Sequence, residues 1–423
     1  MRPLAALALL AHLGLASAAS GQEGAARPAL GLDEVVRTAL RNQPRLRQAR
    51  ANRQAADARA ESARAPLLPQ VRGAASLEWT TTDPPRGDRT VGASATLSQI
   101  LLDAGQVQRW RAASASTLAL ESSERATALQ IAADARAAFF AARAARDLVQ
   151  VAREALANEE AHLRQVQAFV EVGTRPEIDL AQVRAARANA AVQAIQAENG
   201  HDTARAALLQ VMGVERAFDF DLADDVLPPV EGEDAPLDAL VAEAVAARPE
   251  LAAFREEERA QELQRSAARA GWLPTVGAQT GLFAQGPSPA DAEASWSTTV
   301  TLGWSLFQGG ATRAAVREAE AALSGLRAQE DQLRQQIRLE VEQARLGVRA
   351  SRASLAASGE ALSAARDRLR LAEGRYQAGA GSIIELGDAQ VALTSAAAQR
   401  VRAEYDLAAS RAQLLRALGR PAP

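Results

Sequence analysis

The 423-residue chain contains no cysteine and no lysine. Without cysteine there is no disulfide frame, no thiol chemistry and no N-terminal Cys to lipidate. The 48 basic residues are all arginine, and the net charge of −3 gives nucleic acid no overall attraction. Aromatic residues make up only 4% of the chain, and alanine carries much of the apolar fraction. Long packed helices with small side chains at their seams suit that composition better than a large conventional core. The three histidines, His12, His162 and His201, form no H-x-x-x-H pair, so no metal ligand set or other cofactor is expected. Gly309-Gly310 is not followed by Gly-Lys-Ser/Thr, which makes it a strand-to-helix corner and not a phosphate loop. The Arg86-Gly87-Asp88 tripeptide is explained by turn chemistry. These absences argue against an enzyme.

The N-terminal twenty residues read as a secretory signal: Arg2, an apolar run from Leu4 to Leu15, then Ala16-Ser17-Ala18 as an A-x-A cleavage site. Beyond them no run of about 18 apolar residues occurs, so no membrane-spanning helix is expected.

The rest is a duplicated unit. Arg41 to Arg50 echoes Ala246 to Arg255, Arg64 to Val71 echoes Arg269 to Val276, and Leu97 to Gly105 echoes Leu302 to Gly310, all at an offset of 205. Val172 to Leu180 (VGTRPEIDL) echoes Ala378 to Leu386 (AGAGSIIEL), and Ala207 to Gly213 echoes Gln413 to Gly419, at 206. The division expected is a signal at 1–18, a first repeat at 19–213, an acidic linker with little regular structure at 214–238, a second repeat at 239–419 and a tail at 420–423.

Each repeat reads as helix, two strands, helix, turn, helix. The first helix spans about Asp33 to Ala65. Val71, Ala75, Leu77 and Trp79 then alternate with Arg72, Ser76, Glu78 and Thr80, and Val91, Ala93, Ala95 and Leu97 alternate with Gly92, Ser94, Thr96 and Ser98. That is the period of a strand with one apolar face. In the second repeat Val276, Ala278 and Leu282 form one such face, and Trp296, Val300, Leu302, Trp304 and Leu306 another. Two hairpins on a soluble core would show the same alternation. The strand lengths, however, suit a membrane span of ~9–11 residues, and Trp79, Trp296 and Trp304 suit an interfacial belt. Four strands cannot close a barrel, and an open edge in lipid leaves its backbone unpaired. Single-chain barrels begin at about eight strands, so two or, more comfortably, three subunits are required.

Two uninterrupted helices follow the strands, about Gln106 to Val172 and Ala311 to Ala378, each ~100 Å long at 1.5 Å per residue. Val341, Val348, Leu355, Leu362, Leu369 and Tyr376 are spaced by seven, as are Val149, Leu156, Leu163 and Val170. The companion positions are small: Ala344, Ser351, Ser358, Ala365 and Ala372. A strict heptad implies a left-handed coiled coil. The return helix, about Glu177 to Met212, and the pre-strand helix together match one long helix, so the two are expected to stack end to end. His162 and His201 fall on these helices as solvated or seam residues.

This order, the duplication and the glycine breaks resemble the TolC family of outer-membrane efflux proteins. The resemblance covers nearly the whole chain after the signal. It rests on LDEVVRTALRNQPRLRQAR and LDALVAEAVAARPELAAFR, on Pro69 and Pro274 before the strands, and on VGTRPEIDLAQ and GRYQAGAGSIIELGDAQ. It implies a mainly α fold with membrane β: duplicated coiled-coil hairpins plus four transmembrane strands per chain. Three chains complete a 12-stranded barrel and an α-helical periplasmic tunnel. It also implies an outer-membrane exit duct working with a periplasmic adaptor and an inner-membrane transporter, in efflux or type I secretion. Matched by motif, Glu385 and Asp388 ring the tunnel entrance, Tyr376 is a tip-lock aromatic, and Asp179 is the acid it bonds on the neighbouring hairpin. The family's lock arginine falls on Gly381, so Arg175 is the substitute. Val172, Gly173, Thr174, Ala378, Gly379 and Ala380 are the adaptor-contacting tips. Glu385 and Asp388 also suit a helix N-terminus, a compatible role. Arg175-Pro176 stiffens one tip and Gly379 with Gly381 loosens the other, so the second tip is expected to move more. A periplasmic coiled-coil adaptor, or a helical structural protein, is the alternative.

Overall fold

A computed structural model describes residues 29–81, 87–215 and 219–420. The signal reading, Arg86 and residues 421–423 lie outside the described residues. The chain runs β1 (Ala29–Leu30), α1 (Leu32–Asn42), α2 (Pro44–Arg64), β2 (Gln70–Thr81), β3 (Gly87–Leu102), α3 (Ala104–Glu171) and α4 (Glu177–Met212). It continues with β4 (Asp221–Leu222), α5 (Leu237–Ala247), α6 (Pro249–Arg269), β5 (Thr275–Gly286), β6 (Glu293–Gly303), α7 (Ala311–Gln377) and α8 (Ile383–Ala417).

The two long helices are as continuous as their lack of proline implies. Asp103 caps α3 by accepting from the Gln106 N–H at 2.8 Å. Gly309 and Gly310, with φ of 59° and 87°, make the corner before α7. The heptad seam is real: Val341, Ala344, Val348, Ser358, Ala365, Ala372 and Tyr376 are all buried. Buried apolar residues fall into three small clusters along the helices, not one large core, which fits a chain poor in aromatics. No helix among the described residues is long and apolar enough to cross a membrane.

The single helix expected at 33–65 is two. Gln43 precedes Pro44 and is extended (φ −61°, ψ 122°), as a pre-proline residue prefers to be. Arg248 before Pro249 repeats this (φ −68°, ψ 124°). Each break receives the end of a return helix. The Gln43 Nε2 donates to the Val211 carbonyl at 2.9 Å at the end of α4. The Arg248 Nε donates to the Ala417 carbonyl at 2.7 Å at the end of α8. The end-to-end stacking therefore has a mechanism, in which the kink side chain caps carbonyls a helix end leaves open.

Gly213 closes α4 in the left-handed region (φ 68°), and a Cβ there would lie 2.9 Å from the Asn42 carbonyl carbon and oxygen. Gly213→Ala should destabilise by at least the ~1–2 kcal/mol of a left-handed non-glycine residue, since the facing atoms are backbone. A lower melting temperature by circular dichroism checks this; an unchanged one contradicts the stacking.

The segment expected as a linker with little regular structure has only the two-residue β4 and turns among its described residues before α5, yet it packs against the helices at the waist. β4 pairs parallel with β1, and Phe220, Leu222 and Leu227 are buried with α1, α3 and α4. The segment's Glu233 holds arginines of α7 and α8. Arg411 Nε lies 3.2 Å from Glu233 Oε2, and Arg352 also pairs with Glu233. Burial raises the Glu233 carboxyl, but hydrogen bonds from Arg411 and the Val230 N–H outweigh it and hold it below its ordinary range. Glu340, bonded by Arg248 and Gln336, is lowered against burial in the same way. Because the folded pKa values are depressed, this stabilisation is full above the unfolded value of about 4.3 and fades as pH falls through the folded ones. The melting temperature should drop in that acid window, and less steeply in a Glu233→Gln, Glu340→Gln double variant.

The four long strands form one antiparallel sheet in the order β2-β3-β5-β6. One face carries Val71 opposite Leu97, Leu77 opposite Val91, and Leu282 between Ala95 and Trp296. The other carries Arg72, Ser76, Ser94, Thr96, Gln279 and Thr299. The apolar face is bare in the single chain: Trp79 is 69% exposed and Trp296 74%. Trp304 corrects the strand reading. It lies beyond β6, which ends at Gly303, and its indole N–H donates to the Trp272 carbonyl at 3.1 Å.

Candidate functional site

The two hairpin tips are built alike. At the first, the Thr174 N–H bonds the Phe169 carbonyl and the Gly173 N–H that of Val170. At the second, Ala380 bonds Arg375 and Gly379 bonds Tyr376. This is the Schellman closure, which needs a left-handed residue, here Gly173 (φ 74°) and Gly379 (φ 73°). Val172, Gly173, Thr174, Ala378, Gly379 and Ala380 are all exposed, as are the large apolar residues Ile178 and Ile384 just beyond them.

The restarts differ. Pro176 opens α4 with no side-chain cap, whereas the Ser382 hydroxyl caps α8 by accepting from the Glu385 N–H at 3.1 Å. Ser-x-x-Glu is the capping-box spacing, legible in the sequence as SIIE but not read there. At Gly381 a Cβ would lie 3.0 Å from the Tyr376 nitrogen and 3.1 Å from Arg375, so the turn leaves a side chain little room.

The tips meet through Tyr376, which is 1% exposed. Arg175 from the first tip lies over its ring, 4.5 Å from the centroid, and donates to the Tyr376 carbonyl at 3.2 Å. Val166, Val183, Ala372, Ile383, Leu386 and Ala389 surround them. The expected Tyr376–Asp179 hydrogen bond is not formed. The Tyr376 hydroxyl is buried and unpartnered, although Asp179 is buried nearby on α4. Burial raises the Tyr376 hydroxyl above its ordinary value, against the charge of Arg175 and with that of Asp179. Within one chain the tips therefore meet through a ring under a guanidinium, with no phenol–carboxylate bond.

Glu385 is half-buried and pairs with Arg375, Oε1 to Nε 3.2 Å. Asp388, one turn on, is exposed and has no ion pair among the described residues. No group of His, Asp and Glu among the described residues could hold a metal ion. His162, read from the sequence as a solvated or seam residue, is a seam residue. It is buried at the tip seam, edge-on to Tyr376 with centroids 5.5 Å apart. Its position on α3 opposite a heptad tyrosine was the available signal.

The family model described as outer membrane efflux protein matches residues 35–214 and 240–420. No curated protein matches the chain in sequence. Among solved structures it is similar to the transmembrane channel CusC (20% identity, 92% of each chain, TM-score 0.81). It is also similar to the outer membrane protein VceC from Vibrio cholerae (18%, 92% of this chain and 96% of that one, TM-score 0.80). The open state of the Neisseria gonorrhoeae MtrE outer membrane channel matches at 19% identity over 92% and 89% of the two chains, with a TM-score of 0.79.

Proposed function

The chain belongs to the outer membrane efflux protein family, and from that premise we propose that three copies form the passive exit duct of a tripartite efflux or type I secretion system. The observation that carries this is the four-stranded sheet: β2 and β6 are unpaired edges, and one face is apolar and bare. Such a sheet survives in lipid only if other copies pair its edges. Three copies give a barrel of about twelve strands, within the range of outer-membrane barrels. The helices below it make a periplasmic tunnel whose mouth is the ring of tips.

The exposed residues of both tips, with Ile178 and Ile384, are the surface for a periplasmic adaptor that links the duct to an inner-membrane transporter. The chain is delivered through a cleaved signal and is not lipidated. It performs no catalysis; the transporter supplies the energy and substrate moves through a polar lumen.

Glu385 and Asp388, repeated in three subunits, place six carboxylates at a narrow mouth, of which the three of Glu385 are paired with Arg375. Such a ring favours cations and is blocked by multivalent ones. In planar bilayers, Glu385→Ala with Asp388→Ala should abolish divalent block and most of the cation preference. Selectivity unchanged in the double variant would remove the entrance ring from the account.

A further inference from the structure

The seam that joins the tips holds polar atoms for which its closure provides no partner. His162 is 6% exposed and its Nε2 is buried without a hydrogen bond. The hydroxyl of Tyr376, the ring it meets, is buried and unpartnered too. One turn back on α3, Glu159 Oε2 is also buried and unpartnered. Ala152, Glu159 and Val166 are spaced by seven, so the glutamate occupies a seam position. Unpaired buried polar groups oppose closure. A seam selected only for packing would carry apolar residues here, as Val166, Val183 and Leu386 are in the same layer.

We propose that His162 makes closure of the tips sensitive to pH, so that acidification weakens the contact between the two hairpins and favours the open duct. This rests on the duct reading above. Inside the closed seam burial holds the His162 imidazole below its ordinary value, against a hydrogen bond with Gln165. Once the tips part, water reaches the ring and its pKa returns to about 6.5. The parted form then binds the proton more tightly. Falling pH shifts the equilibrium toward it, by about tenfold for each unit between the two values.

The other groups facing the seam fix the shape of the response. Glu159, on the same helix, acts in the opposite sense: burial raises its carboxyl, so its protonation favours the closed seam. From α7, Tyr376 stays neutral because burial raises it further. From the first tip comes the guanidinium of Arg175, and from α4 the buried Asp179. From α8, Glu385 is taken up by Arg375 and Asp388 is exposed. His162 is thus the one group among these whose charging below neutrality opposes closure.

The cysteine-free sequence makes the test direct. Thr174→Cys and Ala380→Cys place one spin label on each exposed tip of the full-length protein in detergent. Pulsed dipolar spectroscopy then reads tip separation from about pH 7.5 to about pH 5.5, a range that spans histidine titration. The long-distance population should rise severalfold on acidification. It should stay flat in His162→Gln and in His162→Phe, which keeps the ring contact without the charge, and rise further in Glu159→Gln. A response that persists in both His162 variants, or is absent from the parent, overturns the inference. Tip separation is read whether or not the protein conducts, so a failure of the duct reading shows separately as absent bilayer conductance.

Discussion

Tyr376→Ala should part the tips and raise the conductance of the reconstituted duct severalfold. Tyr376 is among the largest fully buried side chains, and it is what the first hairpin grips through Arg175 and His162. Truncating a buried aromatic costs ~3–5 kcal/mol, and the guanidinium over the ring adds about 0.5–2 kcal/mol. The tip cluster is small, so a loss of that size falls on closure itself. Tyr376→Phe discriminates the mechanism. It keeps the ring and removes a hydroxyl that has no partner, so the variant should stay closed or close more tightly. Conductance rising equally in both variants would mean that the hydroxyl, through Asp179, forms the lock after all.

The second large effect lies far from the tips. Arg248→Ala should destabilise the fold by ~3–5 kcal/mol, the cost of breaking a buried ion pair by removing one partner. Arg248 is 3% exposed. It caps α8 through the Ala417 carbonyl and pairs with Glu340, Nη2 to Oε2 2.6 Å. Without it Glu340 keeps Arg416, at 3.2 Å, and the Gln336 amide, at 3.0 Å. The first repeat has Gln43 at the matching kink, with a cap but no charge. Arg248→Gln should therefore lose less than Arg248→Ala, because it rebuilds the cap and forfeits only the ion pair. Far-UV circular dichroism against denaturant measures both. Equal losses would assign the whole effect to the carboxylate.

The long helices, the strand faces and the tip glycines were legible in the sequence because each rests on a local rule: heptad spacing, period-two alternation and a left-handed turn. The kinks at Gln43 and Arg248 were equally legible from the prolines after them, but alanine-rich helical pattern on both sides masked the break. The waist was not legible. Residues 214–238 read as an acidic linker, and what holds Glu233 there is arginines more than a hundred positions away, Arg352 and Arg411. At the tips, family pattern brought out Tyr376 and Arg175 but put a hydroxyl bond where the chain has ring stacking. Glu159 escaped notice, and His162 read as either solvated or seam, because a histidine or a glutamate on a polar helix carries no local mark of burial. Only the packing of α3 against the second hairpin supplies it.

The proposed duct requires three chains to share one barrel. Native mass spectrometry of the protein extracted from outer-membrane fractions tests this directly. It should give an assembly of three chains that survives mild detergent and falls to single chains only on heating. A monomer recovered from the soluble fraction would contradict it.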